Sequence, residues 1–555
     1  MSSIPFLVMW VAAMTSAAGE NPAAKLYDGV TDLTPACRID ELVFADLKRL
    51  DIQPANVCSD AVFVRRVYLD VLGTLPTAQE AREFLSEKAA NKRSVLIDRL
   101  LERKEYADYW AMKWSDLLRV KAEFPINLWP NAAQAYYRWI QTSLKENTPY
   151  DRFARQLLTS NGSNFRVGQV NFYRATQNKT PEGIAQSVAL TFMGTRGAGW
   201  PKERWAGMAA FFSQISFRST GEWKEEIVSF DPSPAKAAGP ENAQAAPAFP
   251  DGTAAKVIQG EDPRIVFADW LTSERNPWFS RCIANRVWFW LLGRGIVHEP
   301  DDFRDDNPPA NPELLDYLAK ELSGAKYDLK HLMRLILNSK TYQLSAISRS
   351  DKPEAAAHFA RYPLRRLEAE VLIDALNQIT GTTEQYSSSV PEPFTYVPEG
   401  MRSISLPDGS ITSPFLEMFG RPPRDTGLAS ERSNRPTADQ RLHLLNSSHI
   451  QRKIENSPKL LAIFQPAAGS GPSFGKLPKN KAPRGAKARA ELTAQESQRP
   501  LEAVKELYLT VLSRFPTDEE LKKVAEYSKA APSKREAVVD LAWALVNSAE
   551  FQYRH

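Results

Sequence analysis

Apolar residues return at helical intervals along most of the chain. Trp110 and Trp114 stand four apart, Trp139 falls in a third such run, and "WFSRCIANRVWFWLLG" sets Cys282, Trp288 and Trp290 in a strongly apolar helical pattern. Aromatic residues at this spacing are core packing far more often than a sugar platform. The helix starts are written into the sequence. Thr77–Glu80, Thr437–Gln440 and Thr517–Glu520 read as capping boxes, in which the Thr hydroxyl takes the third amide and the acidic or amide side chain reaches back. Asp262-Pro263, Thr180-Pro181 and Asn311-Pro312 each put a capping side chain before a Pro at the first helical position. The one clear β signal is "SISLPDGSIT", read as a small hairpin near 403–412 with Asp408-Gly409 at its turn. The pattern predicts a mainly α, multi-helical protein of two domains.

Two stretches interrupt it. "DPSPAKAAGPENAQAAPAFPDGTAAK" is rich in Ala and Pro, and "QPAAGSGPSFGKLPKNKAPRGAKARA" is basic and short of bulky residues. Both read as exposed linkers. The resulting layout is a signal peptide over 1–18, an N-terminal tail over 19–35 and a first domain over 36–230. An Ala/Pro-rich linker over 231–258 leads to the main part of a second domain over 259–464. A basic linker over 465–498 then leads to a C-terminal helical module over 499–555. An internal echo joins the ends: "YLDVLGTLPTAQE" from Tyr68 matches "YLTVLSRFPTDEE" from Tyr508 without a gap, and "LNSKTYQ" from Leu337 recurs as "VNSAEFQ" from Val546. The spacing is too wide for a solenoid, so the echo predicts one helical-hairpin module used more than once.

Length and charge narrow the classes. At 555 residues the chain exceeds what one core usually serves. Its 70 Lys and Arg against 66 Asp and Glu give no basic stripe of the kind nucleic acid requires. The opening "MSSIPFLVMWVAAMTSAAGE" has an apolar run too short to span a bilayer, followed by small residues that fit a cleavage site at Ser16-Ala17-Ala18. That predicts export to the periplasm, the cell surface or the medium, with no transmembrane helix. The alternative is a buried N-terminal helix. In an exported chain Cys37 and Cys58 could pair across a short loop, the alternative being two separate buried thiols.

Particular runs carry a family resemblance. "FVRRVYLDVLGTLPT", "ADYWAMKWSDLLR" and "ENTPYDRFARQLL" resemble the first of two paired domains of unknown function, numbered 1549 and 1553, of large exported planctomycete-type proteins. "NPELLDYLAKEL", "FGRPPRDTGLASERSNRPTADQRLHLLN" and "LYLTVLSRFPT" resemble the second. The first domain is cytochrome-associated, and the family implies a C-x-x-C-H-x-H loop suited to haem or a soft metal. In "FMGTRGAGWPKERWAGMAAFF" only Gly197, Ala198 and Gly199 stand where that loop falls in relatives. The family's C-x-C-E-R reads Leu428-Ala429-Ser430-Glu431-Arg432, and Asn311 stands where relatives often have His. The resemblance therefore implies a member that has lost its ligands and carries no cofactor and no metal. Its implied partners are a sulfatase-like envelope protein or an acidic polysaccharide.

Little other chemistry is visible. There is no H-E-x-x-H, P-loop or nucleophile elbow in a strand–helix setting. His443 and His449, six apart, fall on different faces of one helix. The acidic run "HEPDDFRDDN" lacks the EF-hand spacing. The best site candidate is Arg421, Arg424, Asp425, Glu431, Arg432 and Arg435, with Arg65, Arg66 and Asp70 as a second group. Guanidinium forks suit sulfate or carboxylate, as in a sulfated-glycan ligand. The competing reading is a buried Arg–carboxylate network bracing a long loop. The functional expectation is an exported non-catalytic binding or assembly protein linked to envelope polysaccharide handling. The alternative is a hydrolase or lyase acting on sulfated or acidic glycans.

Overall fold

The computed structural model describes residues 24–29, 32–197, 199–233, 246–464 and 500–555. The predicted signal peptide and the predicted basic linker lie outside the described residues, as does Ala198. The protein is mainly α, and the predicted starts form as written. Thr77, Thr437 and Thr517 make capping boxes with Glu80, Gln440 and Glu520. Thr180, Asp262 and Asn311 cap helices that begin on Pro. Among the described residues no helix is long and apolar enough to cross a membrane.

The echo in the sequence is an echo in space. Helix Asp60–Leu72 ends on Gly73 at φ 60° and leads into the Thr77-capped helix Ala78–Ser86. The helix over 500–512 ends on Ser513 at φ 61° and leads into the Thr517-capped helix Asp518–Ala530. Only the first copy needs its glycine for room, since a Cβ there would lie 2.4 Å from the Tyr109 ring. The two copies pack on each other through Ala78, Ala81 and Leu509, and Arg82 pairs with Glu506 at 2.6 Å.

The Ser-led stop repeats atom for atom. Ser339 Oγ accepts from the Tyr342 amide at 3.2 Å, and Ser548 Oγ accepts from the Phe551 amide at 3.2 Å. Gln343 and Gln552 each donate back to the carbonyl six residues earlier. Two consecutive arginines hold these two stops. Arg65 donates to the Val511 and Phe551 carbonyls at 2.8 and 2.7 Å, while Arg66 donates to those of Tyr342 and Leu344 at 2.7 and 2.9 Å. A helix near the N-terminus thus collects the ends of two distant segments. Among the described residues one principal buried apolar cluster accordingly includes members from Ile39 to Phe551.

Strands are few. Gly162–Ser163, Glu226–Phe230 and Ile215–Ser219 form an antiparallel sheet with Glu226–Phe230 in the middle, and Arg365–Arg366 pairs with Tyr553–Arg554. The hairpin predicted near 403–412 does not form. Ser403–Ser405 is a 3₁₀ turn, and Asp408 spends its carboxylate on the amides of Ala122 and Ser410 at 2.9 and 2.8 Å instead of supporting a strand reversal. The end of the predicted Ala/Pro-rich linker is also fastened. Phe249 stacks on Phe211 and Trp270, and Asp251 accepts from the Trp270 indole at 3.0 Å.

Arg65→Met keeps the apolar stem and strips the donors from two buried carbonyls. Unpaired buried acceptors cost about 1–3 kcal/mol each. The denaturation midpoint should fall, and the segment around 511–552 should become the first protease-sensitive region; an unchanged midpoint would show that this segment docks without the arginine.

Candidate functional site

Three of the arginines singled out in the sequence, Arg421, Arg424 and Arg432, converge on carboxylates inside the protein. Helix Lys104–Leu117 presents Lys113 and Asp116, and the start of helix Ala369–Thr380 presents Glu368 and Glu370. The loop after helix Pro414–Met418 brings Arg421, Arg424 and Arg432 down onto them. Arg432 contacts Asp116 at 2.7 Å and Glu370 at 2.6 Å. Arg424 takes the other oxygen of Asp116 at 2.9 Å, and Arg421 stands 3.5 Å from Glu370. A second group adjoins the first. Glu368 is held by Lys113 and Arg554, and Asp70 accepts from the hydroxyls of Tyr342 and Tyr362 at 2.9 and 2.8 Å while facing Arg365 and Arg554 at 3.3 Å.

The electrostatics follow from that packing. Burial opposes a charge on Glu370, yet Arg432 and Arg421 outweigh it and hold the carboxyl at about 2. Glu368 is held well below its ordinary value, because Arg554 and Lys113 overcome the same burial. Burial dominates for Lys113, whose ammonium falls to about 8, and for Arg421, which falls to about 10 with Arg424 adding to the effect.

The reading of these residues as an open anion site is therefore corrected. Arg65, Arg66, Asp70, Arg421 and Arg424 are all buried. Asp425 pairs with Lys121 at 2.7 Å, and Glu431 accepts the Asp425 and Thr426 amides at 2.9 and 3.2 Å. Arg435 alone of the set is exposed. The bracing network is the arrangement the structure contains.

The glycine turn is also occupied. The apolar run before it closes in a π-helical turn, Ala189–Met193, and Gly194 follows at φ 64°. Arg286 donates to the Leu190 and Thr191 carbonyls and pairs with Asp301 at 2.9 Å. The other oxygen of Asp301 accepts the Ala429 amide at 2.6 Å. One buried Arg–Asp pair thus joins the leading edge of the turn to the Leu428–Ser430 segment. Gly197, at φ 68°, lies against the Trp205 ring, where a Cβ would be 1.7 Å from the nearest ring atom; Gly199 has nothing within 4 Å of its own. Asn311 sits apart, capping through the Leu314 amide and donating to the Leu42 carbonyl.

The donors present do not suit a haem or a soft metal. The thiol beside the turn is Cys282, raised to about 11 by burial, and its neighbour is the Arg286 cation. Cys37 and Cys58 do not pair: all three cysteines are free, and Cys37 lies 3.6 Å from the Asp40 carboxylate at the start of helix Arg38–Arg49. The acidic run is likewise dispersed, since Asp302 and Asp306 both face Arg304. Among the described residues no group of three or more His, Cys, Asp or Glu gathers as metal ligands would.

One juxtaposition was misjudged from sequence. His443 and His449 are not on one helix, because Ser447 ends helix Ala438–Asn446 and caps helix Ser448–Glu455. The sharp turn brings their ring nitrogens to 3.4 Å, and the far nitrogen of His449 meets Glu384 at 3.0 Å. Burial, then His449, lowers the pKa of His443. A Ser between two capped runs was the available signal.

Residues 38–196 match a family model described as a protein of unknown function, DUF1549 (PSCyt2), and residues 263–528 match another, DUF1553 (PSD1). The chain belongs to the family in which these two domains are paired. No curated protein and no solved structure matches it. The first matched segment stops immediately before Gly197, and 197–262 falls between the two.

Arg432→Met should cost about 3–5 kcal/mol by leaving the buried Glu370 and the half-buried Asp116 without their shared cation. Arg435→Ala should stay within about 0.5 kcal/mol. Calorimetry of both variants separates a bracing role from a surface one. The pH dependence has a fixed sign. The folded pKa of Glu370 lies below its ordinary 4.5, so its contribution is complete above about 4.5 and is lost as pH falls toward 2. Glu370→Gln should flatten stability against pH in that window.

Proposed function

We propose that this chain is an exported, non-catalytic binding or assembly protein of a surface or periplasmic polysaccharide-handling system, and a family member that has lost the haem or metal loop. The observation that carries this reading is the Arg432 clamp. A glycan-cleaving enzyme needs two carboxylates facing each other across a cleft open to substrate. Here Asp116 and Glu370 share one guanidinium in the interior, and breaking that arrangement to admit a ligand would strand buried charge. The stretch that most resembles the family's ligand region is thereby committed to holding the two matched segments together. Its partners are then found outside that stretch, in a sulfatase-like envelope protein or a polysaccharide.

Pulldown with the full chain from the native envelope should recover a partner or a glycan, and the purified protein should leave a panel of sulfated and acidic glycans uncleaved. Cleavage of any of them, or stoichiometric iron, zinc or haem in the purified protein, would overturn the proposal.

A further inference from the structure

An open groove of about 730 Å³ lies between the hairpin Ile215–Ser219/Glu226–Phe230 and the segments around Asn127 and Arg174–Lys179. The tip of the hairpin, which forms one rim, falls in the 197–262 stretch that neither family model covers. Both walls are fixed before any ligand arrives. On the hairpin side, Asn164 exchanges hydrogen bonds with the Glu226 backbone at 2.9 and 3.0 Å, and Glu225 accepts from Thr220 and Ser163. On the other side, the loop before Pro130 is pinned by the Asp408–Ser410 turn, which takes the Ala122 and Glu123 amides at 2.9 Å. Asn127 at φ 60°, Trp129 at φ 71° and Lys224 at φ 64° hold left-handed backbone. Such residues persist where surroundings over-determine them, and they cluster at ligand clamps.

The lining names the ligand class. Arg174 is 7% exposed, reaches Glu226 at 2.7 Å through one nitrogen and leaves its Nε without a hydrogen-bond partner. Around it stand Asn127, Thr176, Gln177, Ser219 and Thr220. Its three cations, Arg174, Lys179 and Lys224, are matched by Glu222, Glu225 and Glu226. A polyanion gains nothing net from that balance. A hydroxyl-rich molecule does, because each hydroxyl both donates and accepts and so needs both kinds of partner. Trp223, on the tip of the hairpin, is 71% exposed, and the Lys224 ammonium lies 5.4 Å from its ring centre. A large flat apolar face beside a polar trough suits the C–H face of a pyranose. We infer that this groove binds an uncharged hexopyranose chain. The inference rests on the binding reading above and replaces its acidic-polysaccharide partner with a neutral one at this site.

The test uses the full chain, titrated calorimetrically with neutral β-glucan, mannan and galactan hexasaccharides and with a sulfated galactan. At least one neutral hexasaccharide should bind, with a change in tryptophan fluorescence. Trp223→Ala and Lys179→Ala should each weaken it about tenfold while melting like the parent protein. Neutral binding that survives both substitutions would sink the groove and leave the glycan-binding reading standing. Binding of the sulfated galactan alone would sink the neutral ligand. Binding of no sugar would sink the groove and the glycan half of the proposed function together.

Discussion

A guanidinium placed between two carboxylates in a protein interior has no stable halfway state. It is fully paired, or it leaves stranded charges whose desolvation is not repaid. Arg432 occupies that position between Asp116 of the first matched segment and Glu370 of the second. Its neighbours extend the logic: Arg424 takes the remaining oxygen of Asp116, Lys113 and Arg554 close on Glu368, and Asp70 gathers two tyrosine hydroxyls. The long irregular loop from Gly420 to Pro436 has little regular structure of its own, so these pairs fix its path. Through it they fix the Asp408–Ser410 turn that anchors one wall of the groove.

Much of the fold was legible because the physics was local. A Thr three residues before Glu or Gln at the head of an apolar helical run is a capping box, and the Tyr68 and Tyr508 repeats share that cap, the left-handed residue before it and an Arg partner for the acid. The hairpin near 403–412 failed for the opposite reason. Asp408-Gly409 has turn chemistry, but the side chain accepts from the Ala122 amide, nearly three hundred residues away, as well as from Ser410. The histidines failed on a single break at Ser447. Arg421, Arg424 and Arg432 lie close in sequence and in space, but the side they face was open from sequence, because burial is a property of the whole assembly.

The turn that begins at Gly194 is closed by hydrogen bonds and aromatic packing. Its π-helical lead-in frees two carbonyls, and Arg286 supplies the donors they need. The same arginine's carboxylate partner receives the Ala429 amide, so two segments that the family resemblance associates with ligands meet at an ion pair. The space beside Gly197 is filled by Trp205, whose ring packs tilted against Trp200 with centroids 4.8 Å apart.

Arg65 and Arg66 carry one more implication, for the order of assembly. The acceptors of Arg65 lie 446 and 486 residues further along the chain. While that stretch is still being synthesised, helix Asp60–Leu72 lacks the acceptors for the Arg65 guanidinium, and bonds between such distant points form late. The packing around this helix is therefore completed only after the last helices of the chain have emerged.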